Sequence, residues 1–138
     1  MIKSITDPAG RIVRYDYTDG RLTEYTDPAG YVTHYSYDEQ GSLSSIRDNS
    51  MHVVEAVTYD RTNGENKNKV TSKTDTYGNV FNYTYDNINK KVSIIDSSNR
   101  ETIQWFDDSM FITNSRDPEA KLTTTEYFVD ENGKNSMG

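Results

Sequence analysis

The sequence predicts an all-β fold: an antiparallel meander of about 12 short strands, built from β-hairpin repeats of about 21 residues and curled into a twisted or spiralling sheet or partial barrel. Three observations carry that expectation. Turns opened by aspartate recur on a fixed period. The segments between turns have strand length and are too short for helices. Tyrosines spaced by two keep step with the period.

The unit is clearest from Thr6 to Asp38. Asp7-Pro8-Ala9-Gly10 offers a side-chain acceptor at the first turn position, a ring that fixes φ at the second and glycine at the fourth, which suits a type I turn. Asp19-Gly20 tolerates positive φ at both residues and fits the type I′ turn whose twist matches a hairpin. Arg11 to Thr18 and Arg21 to Thr26 are the strands between them. Taking the aspartate of the first turn as the phase marker, the units start at Asp7, Asp27, Asp48, Asp75, Asp96 and Asp117, with spacings of 20, 21, 27, 21 and 21. Tyr15 and Tyr17, Tyr35 and Tyr37, and Tyr83 and Tyr85 fall eight and ten residues after their markers, each pair on one strand face. In the fifth unit the same offsets hold Gln104 and Phe106, with Trp105 between them.

The second strands carry apolar residues five and two positions before the next marker, as in Leu22 with Tyr25 and Leu43 with Ile46. A separation of three places such a pair on opposite faces of a regular strand, so either a bulge intervenes or both faces are partly covered. Most of the surplus in the 27-residue spacing lies in the loop from Arg61 to Lys69. Ile2 to Thr6 reads as a second strand without a first. Leu122 to Val129 reads as a first strand followed by a turn at Asp130-Glu131-Asn132-Gly133. That pattern predicts a single repeat domain over residues 1–138 that is a segment of a longer array, or else a ring closed by its terminal strands. Twelve strands laid flat span about 58 Å, and sheets of that width curl.

With 15 Lys and Arg against 22 Asp and Glu, the formal charge is −7. That balance argues against nucleic acid and against an anionic membrane surface as partners, because no basic patch offsets it. No run of apolar residues has the length of a membrane span, so no membrane insertion is expected. Leu, Ile, Val and Phe make up 25 of 138 residues, few enough to suggest disorder, but the 11 tyrosines supply a thin, partly wet β core instead. With no cysteine, thiolate chemistry and disulfides are excluded.

Residues suited to catalysis are present without the constellations that catalysis needs. Asp107 and Asp108 are neighbours, and adjacent strand residues face opposite ways. His34 and His52 lack convergent partners by spacing. Asp86-Asn87-Ile88-Asn89 opens like a calcium loop but lacks the glycine and the distal glutamate. No catalytic, cofactor or metal residues are therefore assigned, and an enzyme is not expected. The candidate contacts for a ligand or partner are Trp105 and Phe106, whose rings could stack on a glycan, together with Arg61, Lys67 and Lys69 of the long loop. Open sheet edges make self-association a further expectation.

Tyr37-Asp38-Glu39-Gln40-Gly41-Ser42-Leu43, and Tyr17-Thr18-Asp19-Gly20-Arg21-Leu22 followed by Asp27-Pro28-Ala29-Gly30, resemble the YD or RHS repeat family. Its pattern is roughly Y-x-Y-D-x-x-G-x-L, then D-x-x-G after a second strand. Met51, Asn99 and Ala120 replace the first-turn glycine in the weaker units, leaving the turn type there open. The resemblance implies a spiralling antiparallel sheet that, in large bacterial and insecticidal toxin complexes and in teneurins, winds into a hollow shell. It further implies a non-catalytic shell segment enclosing or presenting a toxin or other effector. Its partners would be the remaining repeats or the enclosed region of a parent protein, secreted or displayed on the cell surface. Some members carry an aspartate-dependent self-cleaving core marked by D-P-x-G. Asp7-Pro8-Ala9-Gly10 and Asp27-Pro28-Ala29-Gly30 share those letters but are periodic turns here, and receive no catalytic role.

Overall fold

The computed structural model describes residues 1–129 and 135–137, and all of their regular structure is strand. In chain order the strands are β1 (Ser4–Thr6), β2 (Ile12–Thr18), β3 (Arg21–Thr26), β4 (Val32–Tyr37), β5 (Leu43–Arg47), β6 (Val53–Tyr59) and β7 (Val70–Thr74). They continue with β8 (Val80–Asp86), β9 (Lys91–Asp96), β10 (Glu101–Phe106), β11 (Ile112–Arg116), β12 (Leu122–Thr124), β13 (Tyr127–Val129) and β14 (Asn135–Met137). β1 to β12 pair in sequence order as one open antiparallel meander with β1 and β12 as its edges. Two compact units are distinguished by their internal contacts, Met1–Thr58 with Lys73–Asn79, and Tyr59–Ser72 with Val80–Gly138.

Each turn is built by its aspartate. At Asp27 the backbone N–H donates to the Tyr31 carbonyl at 3.0 Å and the carbonyl accepts from Gly30 N–H at 3.0 Å. Its carboxylate meanwhile accepts from Ala29 and Tyr31 N–H at 2.8 and 2.9 Å. The fourth residue takes a left-handed φ, which is where glycine is cheapest. The same backbone pattern recurs at Asp7, Asp48, Asp75, Asp96 and Asp117, and also at Asp38 and Asp107 in the opposite turns of their hairpins. Fourth residues have φ between 60° and 89° whether they are Gly10, Gly30, Gly41 and Gly78 or Met51, Asn99, Met110 and Ala120. The turn type that the sequence leaves open is therefore unchanged where glycine is missing. The non-glycine residues carry strain on the order of 1 kcal/mol, less for asparagine.

The first unit owes its spacing of 20 to the two-residue turn at Asp19 (φ 50°) and Gly20 (φ 77°), the type I′ geometry expected there. Bulges settle the apolar pairs three apart. Tyr17 faces Leu22 while Asp16 faces Glu24, so Thr23 is the extra residue, and Leu22 and Tyr25 reach the same face as Tyr15 and Tyr17. The pattern repeats with Tyr37 opposite Leu43 and Ser36 opposite Ser45, and with Phe106 opposite Ile112 and Trp105 opposite Asn114. β8 and β9 pair without a shift, bringing Tyr83 against Ile94 and Tyr85 against Val92.

The core is thin, as the tyrosine count predicts. In the first unit Tyr15 packs on Tyr25 with ring centroids 5.5 Å apart. Among the described residues only Val92, at 4% exposure, and Ile103, at 7%, are buried hydrophobics. Val92 faces Gln104, the neighbour of Ile103, so these two residues lie on opposite faces and the second unit is covered on both sides there.

The strand expected from Leu122 to Val129 is broken. β12 pairs with β11, whereas β13 pairs with β14 in a separate two-stranded sheet. The ladder extends as far as Thr125, whose N–H donates to the Thr113 carbonyl at 2.8 Å. Beyond it Tyr127 packs on Phe111, ring centroids 4.9 Å apart, the position opposite it when the β11–β12 register is continued, although its backbone pairs with β14. The turn expected at Asp130 to Gly133 lies outside the described residues.

Candidate functional site

A clasp between successive strands recurs where a tyrosine ends the first strand of a hairpin. Tyr37 OH donates to the Leu22 carbonyl at 2.7 Å, and Tyr85 OH donates to the Val70 carbonyl at 2.8 Å. The residue before each carbonyl is a cation lying over the ring: Arg21 is 5.8 Å from the Tyr37 centroid, and Lys69 Nζ is 4.9 Å from that of Tyr85. Each clasp thus joins a strand of one repeat to the preceding repeat. The Arg21 guanidinium also crosses the space where a Cβ on Gly41 would stand, but its flexible end can move aside, so the φ of 85° is what favours glycine there. Burial raises the Tyr85 phenol pKa, and the nearby Tyr83 adds to the shift.

In the second unit this clasp forms one wall of a cleft of about 380 Å³, bounded by Tyr85, Phe106 and Met110 and by charged residues of the 86–91 and 107–110 turns. Four of these five charges pair with one another, and Asp107 accepts backbone N–H groups of its own turn. Lys90 holds Asp108 in an ion pair that lowers its carboxyl pKa, first through the side-chain hydrogen bond and then through charge. Lys91 stands 3.9 Å from Asp86, whose pKa is lowered chiefly by hydrogen bonds from Asn89. Lys69 Nζ donates to Asn87 Oδ1 at 2.7 Å and to Asn66 Oδ1 at 3.0 Å. What this leaves open to a guest is apolar: the Phe106 ring and the Met110 side chain, which is 71% exposed.

Two of the five residues chosen from sequence, Phe106 and Lys69, therefore come together at the cleft. Trp105 faces Lys91 and Asn114, on the other strand face from Phe106. The Arg61 guanidinium lies 4.7 Å from the Tyr59 ring centroid and donates to Asn68 Oδ1 at 2.6 Å. Lys67 Nζ is on the exposed loop and donates to Asn63 Oδ1 at 3.2 Å. Asp107 and Asp108 diverge: the first accepts Ser109 and Phe111 N–H within the turn, the second pairs with Lys90. His34 lies 3.2 Å from Glu24 and His52 lies 3.4 Å from Asp48. Among the described residues no group of three or more His, Asp or Glu is arranged to hold a metal ion. Tyr85, Lys90 and Met110 were not chosen from sequence. The signal that would have found Met110 is the Asp107 turn, which places it at the left-handed fourth position.

Residues 18–50 match the family model described as RHS Repeat. Among solved structures, a chain in the crystal structure of TcdB2-TccC3-Cdc42 is similar over 90% of this chain, with 14% sequence identity and a TM-score of 0.57. This chain spans about 7% of the length of that one. No curated protein matches. At this identity the structural likeness speaks for the fold alone. Residues 18–50 therefore match an RHS repeat, set within a sheet whose turns carry aspartate on the same period and whose first, second and fourth units carry the same tyrosine pair.

Proposed function

We propose that residues 1–138 act as a single repeat domain and form a non-catalytic stretch of β-shell, a segment of a larger RHS/YD-repeat protein that encloses or presents a toxin or other effector region. The observation that supports this most is the recurring clasp: Tyr37 on Leu22 and Tyr85 on Val70 fasten one repeat to the repeat before it. Side chains of the most recurrent positions are thus engaged in joining repeats. The edges supply the means of continuation, since β1 and β12 present strands exposed along their whole length to a further repeat. By analogy with the family, the parent is secreted or displayed at the cell surface.

Limited proteolysis of the parent protein tests this reading. The effector region is expected to resist cleavage while the repeats are folded, and to be cut rapidly once the sheet is destabilised by Asp27→Ala. Equal cleavage in both cases overturns it. A glycan array on the chain separates the shell from a carbohydrate-binding module: saturable sugar binding lost with Trp105→Ala would replace the shell reading with that module.

A further inference from the structure

The loop from Arg61 to Lys69 holds Asn63, Asn66 and Asn68, and they differ in the backbone nitrogen that follows each. That nitrogen can attack the asparagine side-chain amide if no hydrogen bond holds it and no bulky side chain blocks its approach. The nitrogen after Asn66 belongs to Lys67 and donates to the Gly64 carbonyl at 3.1 Å. The one after Asn68 belongs to Lys69 and donates to the Asn66 carbonyl at 2.9 Å. Among the described residues, the Gly64 N–H that follows Asn63 has no acceptor.

Two further observations fall on the same pair. The fold does not demand glycine at 64: a Cβ there would meet nothing within 4 Å, and its φ lies outside the left-handed region. What glycine does provide is an unobstructed nitrogen. Lys67 Nζ, meanwhile, donates to Asn63 Oδ1 at 3.2 Å, placing a positive charge on the oxygen that becomes negative when Cγ is attacked. Both Asn63 and Gly64 are exposed, so hydroxide and water reach them.

We propose that Asn63 is a deamidation site, at which Gly64 supplies the nucleophile and Lys67 the charge that stabilises the intermediate. Hydroxide takes the Gly64 amide proton. The nitrogen bonds to Asn63 Cγ, and the carbonyl electron pair moves onto Oδ1 beside the Lys67 ammonium. As the carbonyl re-forms, the Cγ–Nδ2 bond breaks and ammonia leaves, taking a proton from water. Water then opens the cyclic imide. Attack at Cγ gives aspartate, and attack at the Asn63 main-chain carbonyl gives isoaspartate, in which the chain runs through the side chain. Either product adds one negative charge to the loop, above the Asp60 closure, which takes no part. The site does not depend on the shell reading.

Incubating the whole chain in mildly alkaline buffer, followed by tryptic peptide mapping with mass spectrometry, tests it. Cleavage after Arg61 and Lys67 releases Thr62 to Lys67, whose fragment masses separate Asn63 from Asn66. Asn63 is expected to convert, chiefly to isoaspartate, about tenfold or more faster than Asn66 or Asn68. Labelling by an isoaspartyl methyltransferase identifies that product. Gly64→Ala, for which the backbone has room, should slow conversion about tenfold or more and leave the urea midpoint unchanged. Lys67→Met should slow it about threefold or more, less than for an oxyanion donor shielded from water, and Lys67→Arg should restore most of the rate. Conversion of Asn63 no faster than that of Asn66 and Asn68, or at full rate in Gly64→Ala, overturns the site. A full rate in Lys67→Met overturns the role given to the lysine.

Discussion

The Asp27 and Asp48 turns have the same hydrogen bonds and differ in the residue that completes them. Asp27 Oδ1 accepts from Ala29 and Tyr31, and Asp48 Oδ1 accepts from Ser50 and His52, all within 2.8–2.9 Å. The fourth position is Gly30 with φ 89° in one and Met51 with φ 66° in the other. A turn that forms around methionine as it does around glycine is directed by its aspartate. Glycine lowers the strain of a conformation that the carboxylate and the hairpin already impose.

The largest expected effect comes from removing that director. Asp27→Ala leaves two backbone N–H groups without their acceptor and should destabilise by about 1–2 kcal/mol, read from the urea midpoint. Gly30→Met recreates the strained form of the turn and should cost about 1 kcal/mol. If Gly30→Met proves the more damaging of the two, glycine and not aspartate governs the turn. Met51→Gly is the inverse change and should stabilise by about 0.5–1 kcal/mol, and a neutral or negative result would mean that the Met51 side chain contributes contacts offsetting its strain.

The smallest effect per turn is its response to acid. Backbone and side-chain hydrogen bonds from Arg11 lower the Asp7 pKa, the Asn79 side-chain amide leads the causes at Asp75, and the Arg100 backbone N–H leads those at Asp96. A carboxylate whose folded pKa lies below its ordinary 3.8 adds stability above that value and loses it as pH falls through the folded one. The urea midpoint should therefore be level with respect to these groups well above pH 4 and fall below it. Asp75→Asn should flatten that fall slightly, and a decline as steep as that of the unaltered chain would exclude Asp75 as a contributor.

The repeat, the turns and the all-β fold were legible because each rests on local chemistry. Asp-Pro-Ala-Gly and Asp-Gly specify backbone angles within four residues, and tyrosines spaced by two specify a face. The bulges were not legible, because the additional residue has two places to go. In β3 it is Thr23, within the strand, whereas the fourth unit puts it in the turn, leaving six residues between Tyr85 and Val92 and a regular ladder. From Tyr37 to Asp48 and from Tyr85 to Asp96 the distance is 11 residues either way, so sequence spacing is blind to the choice. The cleft was half legible. Phe106 and Lys69 stood out as an exposed-aromatic candidate and a loop cation, but the clasp on Tyr85 and the pairing of Lys90 with Asp108 depend on which strands become neighbours.

The long loop after β6 has the ends of an ordinary turn. Asp60 N–H donates to the Lys69 carbonyl at 2.8 Å, and Asn68, with φ 67°, donates to the Asp60 carbonyl at 2.7 Å. Five more residues separate Asp60 from Asn68 than separate Asp27 from Gly30. The sixth residue of the enlarged spacing is Val54, a bulge where Ile46 faces Glu55 and Arg47 faces Val53. Within the loop, Arg61 lies over the Tyr59 ring and the Asn87 amide of the β8–β9 turn donates to Glu65 Oε2 and Asn66 Oδ1, each at 3.0 Å, so side chains tie the loop to the hairpins on either side of it. Doubling such a loop adds only about 0.6 kcal/mol of closure entropy. The loop therefore has a turn's closure at its base and three side-chain anchors above it, so an insertion that keeps Asp60, Asn68 and Lys69 leaves the hairpin register in place, while replacing Glu65 and Asn66 releases the Asn87 amide.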